Sequence, residues 1–89
     1  MSFKDTCEFD SKDTEVARLS TQKDFVALTQ KDSFNFHGEH IKVGYYVTAQ
    51  INGKTEYHDF ETYIAAVTHY RYYVKEAIKR DNILCDILH

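Results

Sequence analysis

Histidine, cysteine and tyrosine hold most of the chemistry open to this chain. His37 and His40 bracket Gly38-Glu39 in "HGEH", and two imidazoles at that spacing could share a metal ion. A structural ion needs four satisfied positions, and the other donors are poorly placed to supply them. His58 falls on another predicted strand, about 20 Å from His40 at the rise of an extended chain. Cys7 and Cys85 sit near opposite ends rather than in a close repeated pair, so they read as two reduced thiols. No metal and no cofactor are expected.

Catalysis has no more support in the residue pattern. His58 and Asp59 are adjacent, and neighbours along a strand point to opposite faces, so they do not serve as a base and its orienting carboxylate. The sequence has no nucleophile elbow, no phosphate-binding glycine loop and no paired metal motif. The expectation is a non-enzymatic protein. What remains is "THYRYYVKEAIKRDN", residues 68–82, where tyrosines, a histidine and an arginine crowd into less than two helical turns.

Those residues must be positioned by a small fold. The 89 residues suffice for one domain, and 43% hydrophobic and 15% aromatic residues are too many for a disordered chain. A net charge of −3 excludes both a general nucleic-acid coat and a strongly acidic DNA mimic. Residues 1–33 carry seven acids against five bases, and residues 34–80 six bases against five acids, so the second part is close to neutral. No stretch approaches the roughly 18 to 20 apolar residues of a membrane span. The acidic "MSFKDTCEFD" start is not a secretory signal, so a cytoplasmic protein with no membrane partner is expected.

There is no proline, and each of the three glycines is informative. In "FNFHGEHIKV" apolar residues alternate on both sides of Gly38-Glu39, predicting a two-residue turn with His37 opposite His40, Phe36 opposite Ile41 and Phe34 opposite Val43. In "TAQINGKTEY" a two-residue Asn-Gly loop would put Glu56 and His58 opposite Ala49 and Val47 on the apolar face. A three-residue loop with a left-handed Gly53 instead pairs Val47 with Tyr57, and it is preferred for that reason.

The fold class predicted is α+β: a three-stranded antiparallel meander, with strands near 33–37, 40–50 and 54–59, packed on a long C-terminal helix. Phe60, Tyr63, Ile64, Val67, Tyr70, Val74, Ala77 and Ile78 fall in one arc that would cover the sheet. Asp59 is placed to cap this helix, and Asn82 to end it. Thr21 with Asp24 precedes "FVAL" as a capping pair would, predicting a short N-terminal helix, although Phe25-Val26-Ala27-Leu28 would also suit a buried strand. Residues 1–19 are weakly patterned, and residues 83–89 form a short apolar tail.

On this wheel Tyr72, Tyr73 and His69 lie on a second stripe, with the small residues Ala65 and Ala66, away from the sheet. Either the N-terminal segment or the Ile83–Leu88 tail packs on that stripe, or it is one candidate partner surface. The outer sheet face, with Lys42, Tyr46, Thr48 and His58, is the other.

The stretch "YYVTAQINGKTEYHDFETYIAAVTHY" resembles the three-stranded-sheet-plus-helix module of arm-type integrase and plant ethylene-response DNA-binding domains, carried by Asn52-Gly53-Lys54, Phe60, Thr62 and Ala65-Ala66. The resemblance implies that the sheet enters the DNA major groove, with His40, Lys42, Tyr46, Thr48, Gln50, Lys54 and His58 as readers. Only Lys42 and Lys54 among these are permanently cationic, and phosphate neutralisation needs several such contacts. The order helix, three strands, helix is also similar to double-stranded-RNA-binding domains, but the lysine-rich start of their last helix is here "HDFETYIA".

The leading expectation is therefore a protein-binding domain with a protein target. It would be a phage or mobile-element inhibitor that occludes a site on a larger molecule, with homodimer formation through one of the two surfaces. A nucleic-acid partner, bound weakly or with the help of a dimer, is the alternative.

Overall fold

The computed structural model describes residues 3–88, with side chains described from 5 to 82. Among them the chain forms α1 (Phe3–Thr6), β1 (Asp10–Ser20), β2 (Phe25–Phe34), β3 (His40–Ile51), β4 (Lys54–Phe60) and α2 (Tyr63–Leu88). Each strand pairs antiparallel with its chain neighbour, giving one sheet in the order β1-β2-β3-β4. The class is α+β with a C-terminal helix, and the meander has four strands rather than the three predicted.

The extra strand comes from the segment read as unpatterned, and β2 replaces the predicted N-terminal helix. Thr21 Oγ1 accepts a hydrogen bond from the Asp24 N–H at 3.1 Å, the bond that would open a helix. Thr21 N–H also donates to the Asp24 carbonyl at 2.8 Å, which closes a tight turn instead. The same side-chain chemistry serves both structures, and pairing decides between them. Val26 and Leu28 alternate onto the covered face of the sheet and are buried there, opposite Leu19 and Ala17 on β1 and Ala49 and Val47 on β3.

Both later hairpins differ from the predicted register. Between β2 and β3 the strand stops at Phe34, and residues 35–39 form a loop around the buried Asn35. Its Oδ1 accepts from the N–H groups of His37 and Glu39, both at 2.9 Å, and its backbone N–H donates to the Glu39 carbonyl. Phe34 then pairs with His40 and Ser33 with Lys42, leaving Ile41 as the bulged residue, so the predicted His37–His40, Phe36–Ile41 and Phe34–Val43 pairs do not form. Gly38 takes the positive φ (80°) that this loop requires.

Between β3 and β4 the two-residue loop wins. Asn52 (φ 55°) and Gly53 (φ 78°) both lie in the left-handed region of a type I′ turn, and Val47 pairs with His58, not Tyr57. Glu56 and His58 consequently share the covered face with Ala49 and Val47.

Helix α2 lies across that face. Thr62, not Asp59, caps it: Thr62 Oγ1 accepts from the Ala65 N–H at 3.3 Å, while Asp59 is still in β4. The buried stripe is Ala66, Val67, Tyr70, Tyr73, Val74 and Ala77, so the helix is rotated from the predicted arc, leaving Ile64 and Ile78 exposed. Fully buried alanines let the helix backbone approach the sheet closely. The helix also runs past Asn82, its predicted stop, to Leu88. The side chains of the apolar tail and of Cys85 lie outside the described residues.

The C-terminal part of α2 is tied to the sheet at one point. Arg80 Nε donates to Asp24 Oδ2 at 2.7 Å, and Asp24 Oδ1 accepts from the Asn52 N–H at 3.1 Å. One carboxylate thus joins the β1–β2 turn, the β3–β4 turn and the helix. From this clasp α2 overhangs the turn end of the sheet, and the β2–β3 hairpin projects beyond the other end of the helix, giving extents of 62 × 19 × 18 Å.

Candidate functional site

Two surfaces contain the residues singled out from the sequence, and the structure sorts them differently from the wheel. On the helix side, β4 and α2 bring together Glu56, His58 and Phe60 with His69, Tyr72 and Tyr73. Tyr73 Oη donates to Glu56 Oε2 at 2.5 Å and lies 3.1 Å from His58 Nε2. The His69 ring packs 4.5 Å from His58 and 5.1 Å from Phe60, centroid to centroid. Of the predicted stripe, Tyr73 and Ala66 therefore face the sheet, His69 is wedged against β4, and Tyr72 remains exposed. His58 belongs to this cluster rather than to the outer sheet face.

The cluster explains how a glutamate and a histidine occupy the covered face. A polar group taken from water needs a partner, and the Tyr73 hydroxyl supplies one for both. The bond to Glu56 pushes the Tyr73 hydroxyl up to about 12, and the same bond holds the Glu56 carboxyl below its usual range. His69 is the exception: its Nε2 is buried and has no hydrogen-bond partner. Burial, then the neighbouring His58, lower its basicity from the usual 6.5, and Glu56 opposes this.

A pH prediction follows from that direction. A histidine less basic folded than unfolded contributes stability at pH above about 6.5 that is lost as the pH falls through its folded value; Glu56, also lowered, adds its own loss only below about 4.5. Urea midpoints should drop between pH 7.5 and 5, and His69→Phe should flatten that drop while leaving the loss below pH 4.5. An equal slope in the variant would remove His69 from the account.

The other surface is the sheet face opposite α2. Phe25, Ala27, Thr29, Lys31 and Ser33 of β2 stand there with Lys42, Gly44, Tyr46, Thr48 and Gln50 of β3, and Thr55, Tyr57 and Asp59 of β4. β1 contributes Asp13, Glu15 and Arg18. No described element covers this face, yet Ala27 and Thr29 are buried between taller neighbours, forming a shallow trough along β2. Arg18 lies 4.8 Å over the Phe25 ring on one side. Tyr46 walls the other side and donates to Asp13 Oδ2 at 3.2 Å, and its partial burial raises the pKa of its hydroxyl.

Where β4 ends, the face dips into a depression of about 480 Å³ lined by Lys31, Ser33, Lys42, Gly44, Tyr46 and Asp59 among others. Lys31 is ion-paired with Glu8 at 3.4 Å. The charged side chains that the described strands place on this face balance: Asp13, Glu15 and Asp59 against Arg18, Lys31 and Lys42. Lys54 has left it, since it pairs with Ile51 on the helix side and lies 3.6 Å from Glu56. His40 also sits away from this face, held by Asp32 at 2.9 Å, and that bond lowers the Asp32 carboxyl. Of the seven DNA readers implied by the resemblance, Lys42, Tyr46, Thr48 and Gln50 remain together.

Tyr57 is the residue that sequence reasoning missed. The bulged-loop register turned it inward, but it stands on the open face at 70% exposure, beside Thr48. Its signal was the Asn-Gly dipeptide, which favours the two-residue turn that faces it outward. Among the described residues no three His, Cys, Asp or Glu side chains form a metal-holding group, and no described helix is long and apolar enough to cross a membrane. No protein-family model, curated protein or solved structure matches the chain.

Proposed function

We propose that this chain is a non-enzymatic protein-interaction domain that uses the open face of its sheet to occlude a site on a larger protein. The observation that carries this reading is the face itself: uncovered by any described element, and composed of aromatic rings, hydroxyls and balanced charge. Tyr46, Thr48 and Tyr57 offer apolar bodies with polar tips, the composition that forms the centre of protein contacts. Lys42 sits at the rim by the depression. Tyr72, exposed on α2, lies on the other side of the sheet with His58, His69 and Tyr73, which support the fold there.

Nucleic acid is the weaker reading on charge. Phosphate contacts need clustered cations, and here each cation of the face is matched by an acid. The two partners respond oppositely to salt. Capture of a protein target from the native cell should survive salt that screens exposed charges and should fail with Thr48→Arg, which plants a long charged side chain at the middle of the face. Capture that is indifferent to Thr48→Arg, or binding to DNA that falls steeply with salt and with Lys42→Ala, would overturn the proposal.

A further inference from the structure

Strand β4 is one edge of the sheet and β1 the other, and the two edges are built differently. β1 is interrupted by a bulge at Val16, between Glu15 and Ala17, and carries Lys12, Asp13, Glu15 and Arg18, devices that discourage another strand from joining. β4 also carries charges, Lys54, Glu56 and Asp59, but it has no bulge. It pairs with β3 without a break from Lys54 to Phe60, and no described strand lies on its other side. It contains no proline, and its middle residue, Tyr57, is the most exposed aromatic residue of the open face.

The geometry points to a homodimer in which two β4 edges pair antiparallel about a two-fold axis at Tyr57. In a two-residue hairpin the residues flanking the turn form a hydrogen-bonded pair, and such pairs alternate along the ladder. Lys54, Glu56, His58 and Phe60 therefore spend their backbone groups on β3, and Thr55, Tyr57 and Asp59 aim theirs outward. A two-fold at Tyr57 matches outward groups to outward groups: Tyr57 exchanges both bonds with its symmetry mate, and Thr55 with Asp59 on either side.

The side chains select the same register. It sets the two Tyr57 rings side by side on the open face, an aromatic cross-strand pair, and Glu56 opposite the second copy's His58 on the helix face. Shifting the axis by one residue toward the turn sets Glu56 against Glu56, and one residue the other way sets His58 against His58, like groups in both cases. On the helix side of β4 a groove is lined by Ile51, Lys54, Glu56, Tyr72, Tyr73 and Glu76. The two open faces then join into one continuous sheet, so the dimer presents a doubled surface.

Sedimentation equilibrium of the full chain up to millimolar concentration tests this pairing. The wild type is expected to show a monomer–dimer equilibrium. Thr55→Asp places a carboxylate opposite the second copy's Asp59 at both ends, and should weaken dimerisation about tenfold. Adding Asp59→Lys to it should restore dimerisation, because positions 55 and 59 of one chain lie too far apart on the strand to interact directly. Tyr57→Cys should give an intermolecular disulfide at position 57 on oxidation, identified by peptide mapping, since paired Cα atoms of such a ladder fall within disulfide reach. A chain that stays monomeric, or a dimer indifferent to Thr55→Asp and not cross-linked at position 57, overturns the inference.

Discussion

Replacing Arg80 with alanine should destabilise the fold by about 3 kcal/mol, more than replacing the carboxylate it holds. The asymmetry comes from burial. The Asp24 side chain is 3% exposed and the Arg80 side chain 31%, so each single deletion leaves a different orphan. Without Arg80, a buried carboxylate keeps only the Asn52 N–H as a partner. Without Asp24, the guanidinium can turn to water, and the loss should be about 2 kcal/mol, mostly the unsatisfied Asn52 N–H and the loosened turn. Arg80→Lys should recover part of the difference, because an ammonium retains the charge but not the directed Nε–H. Urea unfolding of the three variants at pH 7 checks the order, and an Arg80→Ala loss below about 1 kcal/mol would reduce the clasp to an ordinary surface pair.

This clasp also shows what was and was not legible in the residue pattern. Asp24, Asn52 and Arg80 are each ordinary where they stand: Asp24 reads as the end of a capping pair, Asn52 as a turn residue and Arg80 as a favourable charge late in a helix. Each local reading has a sound physical basis, but it omits the contact 56 residues away that gives Asp24 its role. The hairpin of β3 and β4 was visible because Asn-Gly and the alternating flanks are local signals. Its register was not, because Glu56 and His58 violate the inside-outside pattern, and the group that satisfies them is a tyrosine hydroxyl on the helix. The rule that polar residues face out failed where a distant donor made the exception affordable.

β1 was hidden for a related reason. Only Ala17 and Leu19 of its residues pack against the core, and the rest of the strand is exposed, so little hydrophobic alternation is written into "DSKDTEVARLS". The outer face of the sheet was legible as a surface, and Lys42, Tyr46 and Thr48 stand on it as expected. Its most prominent ring, Tyr57, was lost with the register. One misplaced turn residue exchanges the two faces of a whole strand, and so moves both the candidate site and the core.

The facing of α2 has a direct energetic consequence. Leu28 is 1% exposed and is the largest completely buried side chain among the described residues, held with Val26, Val47 and Ala49 beneath Ala66 and Ala77. Leu28→Ala should cost about 3 kcal/mol, from lost transfer free energy and from a cavity that a sheet pinned by ladders on both sides of β2 cannot close. That is a large fraction of the 5–15 kcal/mol typical of a domain, so the variant should unfold at far lower denaturant. Ile64→Ala provides the control. The arc read from the sequence places Ile64 against the sheet, where its loss would cost about as much; at 79% exposure the expected change is within about 0.5 kcal/mol. Paired denaturant melts of the two variants distinguish the orientations, since a helix turned to bury Ile64 would make the two losses comparable. The result also bears on the helix-side cluster, because the rotation that exposes Ile64 is the one that brings Tyr73 down onto Glu56 and leaves Tyr72 exposed.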